Sequence, residues 1–230
     1  LGLIATSPVF NNASLPVRVR LMAGLAITLA LAPALPPLPQ ISPASWAGLL
    51  VLVQQGLIGI ALGFTMRIVF AGIDLAGELI GLQMGLGFAS FFDPAVGGQA
   101  NAASRFFGTT IGLLFIVING HLLVVAAVVQ SFHAFPVAPE PFGFLRALQP
   151  QVWGSEIFAL GLWIALPLIG MLLLVNLVLG VISRVAAQMN VFAIGFPITL
   201  GVGLLGMLLT LPVMQGPFTM ALERMLSHFL

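Results

Sequence analysis

The sequence predicts an all-α, membrane-associated protein of long kinked helices and helical hairpins. Three observations carry that reading. Of the 230 residues, 60% are hydrophobic and only 6% are charged. The apolar residues stand in long uncharged runs, and prolines recur inside those runs at Pro167, Pro197 and Pro212. A soluble domain is about 45–50% apolar and about 25% charged, so this chain cannot clothe a water-exposed surface. A mean hydropathy of +1.18 also excludes a disordered chain, because disorder needs low hydrophobicity and high charge.

The elements follow from the length of the uncharged runs, since a membrane span needs about 20 apolar residues. Residues 21–66 carry no charge, but Pro33, Pro36, Pro37, Pro39 and Pro43 interrupt them. This predicts a helix over 17–34, a stiff proline-rich turn, and a second helix over 44–66. Trp46 stands where an interfacial aromatic anchor belongs. A third helix is predicted over 69–90, carrying Asp74 and Glu78 one turn apart on one face. Residues 85–98 are small, glycine-rich and aromatic, a poor helix and a poor strand. A long uncharged helix is expected over 106–130, then a loop rich in Pro and Phe over 131–155. Residues 157–182 and 191–214 read as a helical hairpin around a short polar turn. Residues 215–230 read as a separate amphipathic helix.

Arginines test the topology, because they accumulate on the cytoplasmic side. With Arg18 and Arg20 inside, two crossings return Arg67 inside; from Arg105, two more return Arg184. The count works only if residues 68–104 do not cross, which marks them as re-entrant or cavity-lining.

Charge excludes several functions. Seven arginines, scattered singly or in one pair, and six acids leave a net charge of +1; a nucleic-acid binder would carry a basic patch. With no cysteine there is no disulfide and no thiolate chemistry. His121, His133 and His228 form no metal-binding spacing, so neither a metal nor another cofactor is expected. The Gly201–Gly206 glycines match a dinucleotide pattern, but within an apolar helix they serve packing. Asp74 and Asp93 do not resemble the aligned acids of an intramembrane protease. No feature suggests that the chain makes or breaks a bond.

What remains is mechanical. Gly77, Gly81 and Gly85 stand four apart, the spacing that lets helix backbones approach closely. Arg67 and Arg105 are candidate ion-pair partners of Asp74 and Glu78. Met84, Phe88, Phe91 and Phe92 could block water and ions at a constriction. Flexible Gly85, Gly87, Gly97 and Gly98 would let such a seal move aside.

Five blocks then occur in order: Leu15-Pro16-Val17-Arg18-Val19-Arg20, Ile80-Gly81-Leu82-Gln83-Met84-Gly85-Leu86, Phe92-Asp93-Pro94, Asn119-Gly120-His121 and Asn190-Val191-Phe192-Ala193-Ile194-Gly195-Phe196-Pro197. Through them the chain resembles, over nearly its whole length, the FliR family of flagellar export-gate proteins, related to an injectisome subunit. The resemblance implies one subunit of a larger helical, cone-shaped inner-membrane assembly at the flagellar basal body. It implies FliP-like and FliQ-like partners, a neighbouring FlhB-like subunit, surrounding membrane lipid, and unfolded export substrates as cargo. It divides the chain into a FliP-type part, residues 1–155, and a FliQ-type hairpin with a short tail, residues 156–230. It places a channel plug at about 84–101, including Met84, Gly85, Phe88, Phe91, Phe92, Asp93, Pro94, Gly97 and Gly98. Gly195, Phe196 and Pro197 then join Gly77 and Gly81 as packing and assembly residues. The alternative is a stand-alone secondary transporter or ion channel, which would need inverted repeats around a midplane site; the sequence shows no convincing repeat.

Overall fold

The structure is a computed structural model that describes residues 1–11, 16–37, 41–42, 44–88, 100–137, 142–149, 153–185 and 191–229. The described residues form helices and turns, with no strand. In chain order the helices are α1 (Gly2–Thr6), α2 (Val17–Leu31), α3 (Trp46–Gln83), α4 (Ala102–Val117), α5 (Gly120–Ala134), α6 (Gly143–Leu148), α7 (Trp153–Val185) and α8 (Val191–Leu226). Among the described residues, single 3-10 turns occupy Ala32–Ala34, Leu86–Phe88 and Ser227–Phe229.

Among the described residues four helices, Val17–Ala34, Trp46–Gln83, Trp153–Val185 and Ala193–Phe229, are long and apolar enough to cross a membrane, and the bent α4–α5 pair could supply a fifth span. At about 1.5 Å per residue the 38-residue α3 is about 57 Å long, nearly twice the hydrocarbon thickness of about 30 Å. Such a helix must tilt strongly or project beyond the bilayer.

Four expected boundaries are corrected. Residues 44–66 and 69–90 are not two helices; α3 runs unbroken to Gln83. Met66, Ile68 and Val69 continue its buried stripe while Arg67 faces outward, so one exposed charge does not end it. The arginine count that placed a turn at Arg67 therefore fails. The helix expected over 106–130 breaks after Val117, where Asn119 is left-handed at φ 56°. Asparagine tolerates that conformation better than most residues. The loop expected over 131–155 holds the end of α5, the short α6 and the start of α7. The tail is not a separate helix, because α8 continues through Pro212 and Pro217 to Leu226. Met214, Phe218, Leu222 and Met225 carry its buried stripe onward at helical spacing.

The chain forms two compact units. The first comprises Leu1–Phe70, Phe115–Ser155 and Met220–Leu230. Here α1 lies on the first half of α3, where Gly2 leaves no room for a side chain: a Cβ would stand 2.7 Å from the Gly56 carbonyl oxygen. The Ser7 hydroxyl reaches the Met66 sulfur at 3.5 Å. Ser45 caps α3, its Oγ accepting the Gly48 N–H at 3.1 Å. An aromatic cluster fills the rest, with Phe135 edge-on to Phe144 and Phe229, and Trp153 against Phe64, His228 and Phe229.

The second unit comprises Ala71–Leu114 and Glu156–Thr219. Its core is Ile73, Ala76, Ile80, Phe107, Ile111, Leu168, Leu172 and Met207. Glycines set the helix spacing. A Cβ on Gly161 would stand 2.8 Å from the Gly72 carbonyl oxygen, so α7 meets α3 backbone to backbone. A Cβ on Gly206 would collide with Leu168 and Met171, which holds α8 against α7. That hairpin bounds an apolar cavity of about 520 Å³ that includes Trp163, Pro167, Met171 and Pro217.

Candidate functional site: the α3–α4 junction

Residues 85–98, the segment singled out in the sequence, connect two helices whose facing ends are well defined. On the upstream side α3 ends at Gln83. The Met84 N–H still donates to Ile80 at 2.9 Å, and the Gly85 N–H donates to Leu82 at 3.1 Å. Gly85 has φ 82°, the left-handed stop that glycine supplies without a Cβ clash. Met84 is fully buried, its thioether seated in the notch left by Gly203 on α8.

On the downstream side Asn101 opens α4. Its Oδ1 accepts the Ser104 N–H at 2.8 Å, which satisfies one of the donors that every helix start leaves free. Glu78 on α3 receives the rest of Asn101. Its Oε1 accepts the Asn101 backbone N–H at 3.1 Å, and its Oε2 accepts Nδ2–H at 2.9 Å. The same Nδ2 also reaches the Glu78 carbonyl oxygen at 3.2 Å. One turn further on, the Ser104 hydroxyl donates to the Asp74 carbonyl oxygen at 3.1 Å.

Small residues make this contact possible. A Cβ on Gly81 would fall on the Asn101 amide, and one on Gly77 would fall on the Ser104 backbone. A Cβ on Gly108 would stand 2.9 Å from Asp74 Oδ1. The pairs 81 with 101, 77 with 104 and 74 with 108 show that α3 and α4 run antiparallel in close contact. Asp74, Glu78, Ser104, Arg105 and Thr109 line an open cavity of about 560 Å³ beside this seam. Arg105 thus shares a cavity with both acids, whereas Arg67 lies exposed in the other compact unit.

Of the other residues singled out, Gly195 is buried, while Phe196 and Pro197 are exposed on α8. Phe88 closes the 3-10 turn Leu86–Phe88. Phe91, Phe92, Asp93, Pro94, Gly97 and Gly98 lie outside the described residues. Sequence reasoning missed Asn101 and Ser104. An asparagine just before an apolar helical run is a start signal, so the cap was readable; its partner 23 residues upstream was not.

The helices and their apolar surfaces define an all-α membrane protein. α2, for instance, exposes Val17, Val19, Leu21, Met22, Leu25 and Leu29, a face that water would not tolerate as a contiguous patch. Over residues 1–225 the chain matches the family of bacterial export proteins, family 1. It is 45% identical over 218 residues to the flagellar biosynthetic protein FliR of Pectobacterium carotovorum subsp. carotovorum, and 45% identical over 218 residues to that of Escherichia coli strain K12. Each of those alignments covers 95% of this chain and 83% of the relative. The FliR of Bacillus subtilis strain 168 is 27% identical over 188 residues, covering 77% of this chain and 71% of that protein. The chain belongs to the FliR family and is a component of flagellar protein export.

Proposed function

We propose that this chain is a non-enzymatic subunit of the flagellar protein export gate in the bacterial inner membrane. With FliP-like and FliQ-like subunits, and a FlhB-like neighbour, it forms the channel through which unfolded substrates leave the cytoplasm. Residues 1–155 correspond to a FliP-type unit and residues 156–230 to a FliQ-type hairpin with its tail. Residues 84–101 plug the closed channel, and Gly195, Phe196 and Pro197 belong to assembly contacts. The observation that carries this reading is the match to bacterial export proteins over residues 1–225. The apolar surface exposed on the membrane-length helices supports it: among the described residues Leu173, Leu174, Leu177, Val178 and Val181 on α7 are exposed, a surface suited to lipid or neighbouring subunits.

In the proposed plug Met84 is the anchored upstream stem, since its side chain is packed against α8. The seal falls to residues beyond it. Native mass spectrometry of the detergent-extracted complex, co-expressed with its neighbouring genes, tests the assembly. One copy of this chain with several copies of two other small apolar proteins is expected. A lone monomer or a homo-oligomer would overturn the reading in favour of a stand-alone transporter.

A further inference from the structure

α3 is longer than a bilayer is thick, and its charges mark where the hydrocarbon ends. Residues 47–66 carry none, whereas Arg67, Asp74 and Glu78 follow. Trp46 is 74% exposed at the start of the uncharged stretch, where an aromatic anchor meets the interface. From Trp46 to Arg67 the helix rises about 32 Å, at about 1.5 Å per residue, against a hydrocarbon thickness of about 30 Å. Leu49, Leu52, Val53, Ile60 and Phe64 are exposed between the two ends, a surface for acyl chains. The rest of α3 then stands beyond the hydrocarbon, so Asp74 and Glu78 need not be carried into lipid, where a carboxylate is costly.

Within the first compact unit, α2 brings two more arginines to the Arg67 end. α1 meets α3 at Gly56 and Gly59 through Gly2 and Leu3, and at Met66 through Ser7, so α1 runs along α3 toward Arg67. Just past α1, the Asn11 N–H donates to the Ser7 carbonyl oxygen at 2.9 Å, and Asn11 Oδ1 accepts from Arg20 Nη1. Gly24, one turn further along α2, lies back beside Leu1 and Ile4. α2 is therefore antiparallel to α3, and its start, with Arg20 and the exposed Arg18, stands at the Arg67 end. The first turn of α2 holds no acid, and the helix dipole disfavours cations there. An anion from outside the chain removes that conflict. Beyond the arginines, Met22, Leu25 and Leu29 leave α2 with an exposed apolar surface.

We infer that Arg18, Arg20 and Arg67 form a basic band that binds the phosphate headgroups of anionic phospholipids at one face of the membrane, with Trp46 at the opposite face. Charge complementarity selects this occupant. A guanidinium fork matches phosphate oxygens, an anionic lipid attracts the band where a zwitterionic one offers no net charge, and the acyl chains of the same lipid cover the exposed stripes of α2 and α3. The band stands whatever the export role of the chain.

Native mass spectrometry of the detergent-extracted chain, in whatever assembly it is extracted, tests the band. Retained lipid and subunit content are read after addition of phosphatidylglycerol or phosphatidylcholine. The parent is expected to hold phosphatidylglycerol in preference. Arg67→Gln should lower that retention by about fivefold, the scale of one basic residue at an anionic surface, and the triple variant Arg18→Gln, Arg20→Gln, Arg67→Gln should lower it to the phosphatidylcholine level. Arg184→Gln removes the same charge from an exposed site on α7 and should change nothing. If the triple variant does not fold, Arg18→Gln and Arg67→Gln are read singly with the same fivefold expectation. The chain has no cysteine, so single cysteines report depth. In vesicles of both orientations, Leu52→Cys should be shielded from a membrane-impermeant maleimide and Arg67→Cys labelled.

Equal retention of the two lipids by the parent, an equal loss in Arg184→Gln, or displacement of phosphatidylglycerol by inorganic phosphate would overturn the lipid band. Labelled Leu52→Cys or shielded Arg67→Cys would overturn its placement at the interface. Loss of a subunit from Arg67→Gln, with lipid retained, would assign that face to a protein partner and sink the inference.

Discussion

The Met84 thioether occupies the space that a side chain on Gly203 would fill. A Cβ there would stand 2.6 Å from Sδ and 2.7 Å from Cε, and it would also collide with Cγ. The two residues are far apart in sequence, yet each fixes the shape of the other's surroundings. Gly203→Ala is therefore expected to destabilise the protein by about 1–3 kcal/mol, the usual cost of overfilling a packed core. Combining it with Met84→Ala should recover part of that loss, since contacting residues are not additive. Thermal unfolding of the detergent-solubilised complex checks both. Equal melting temperatures for Gly203→Ala and the parent would refute the close fit.

Gly77 makes the same argument against backbone rather than side chain. A Cβ there would meet the Ser104 Cα and stand 2.9 Å from the Ser104 nitrogen, and backbone cannot rotate away as the end of a methionine can. Gly77→Ala should force α3 and α4 apart and lower stability by more than Gly203→Ala does. Gly112 is the control on α4, since a Cβ there meets nothing within 4 Å. Gly112→Ala should be neutral, or stabilising by up to about 1 kcal/mol through helix propensity. The comparison is a pair of unfolding curves under one condition.

Asn119 carries the break between α4 and α5 at φ 56°. Asn119→Gly should be tolerated to within about 0.5 kcal/mol, as for a surface substitution that keeps the backbone accessible. Asn119→Val should cost about 1–2 kcal/mol, because a β-branched residue is strained in left-handed backbone. The signature is the order of stability, glycine above valine, in the same unfolding assay. The reverse order would show that the break does not depend on this conformation.

Replacing residues 85–98 with a shorter linker should leave the subunit composition of the complex intact and make the closed channel leak ions or small solutes. Ion flux into vesicles holding the assembled complex measures it. Flux equal to that of the parent would remove the plug role from this segment.

Much of the candidate site was legible one strand of information at a time. Gly77 and Gly81 were visible as a stripe of small residues, and Asp74 and Glu78 as acids on one face of a helix. What they face was not. Arg67 and Arg105 were equivalent candidates in the sequence; only the fold puts Arg105 in the cavity with the two acids and leaves Arg67 exposed in the other unit. The helix boundaries went wrong where a single residue type was given too much weight. Arg67 was expected to end a helix, yet the buried stripe through Met66, Ile68 and Val69 carries α3 past it. Residues 215–230 were expected to form a separate helix, yet Met214 and Phe218 are buried on either side of Pro217 and α8 stays whole.

By itself, then, the sequence determined that the chain is a membrane-associated protein of apolar helices, because a chain that is 60% apolar with 6% charge needs lipid or neighbouring subunits rather than water to cover it. Composition acts on every residue alike, so it survives without knowledge of contacts. The order of its motif blocks pointed to the export family. The tertiary structure alone decided that Asn101 is capped by Glu78, that Met84 fills the notch of Gly203, and that α3 passes from one compact unit to the other without a break. Each of these depends on which surfaces meet, and a single chain's local pattern does not encode the identity of a partner tens of residues away.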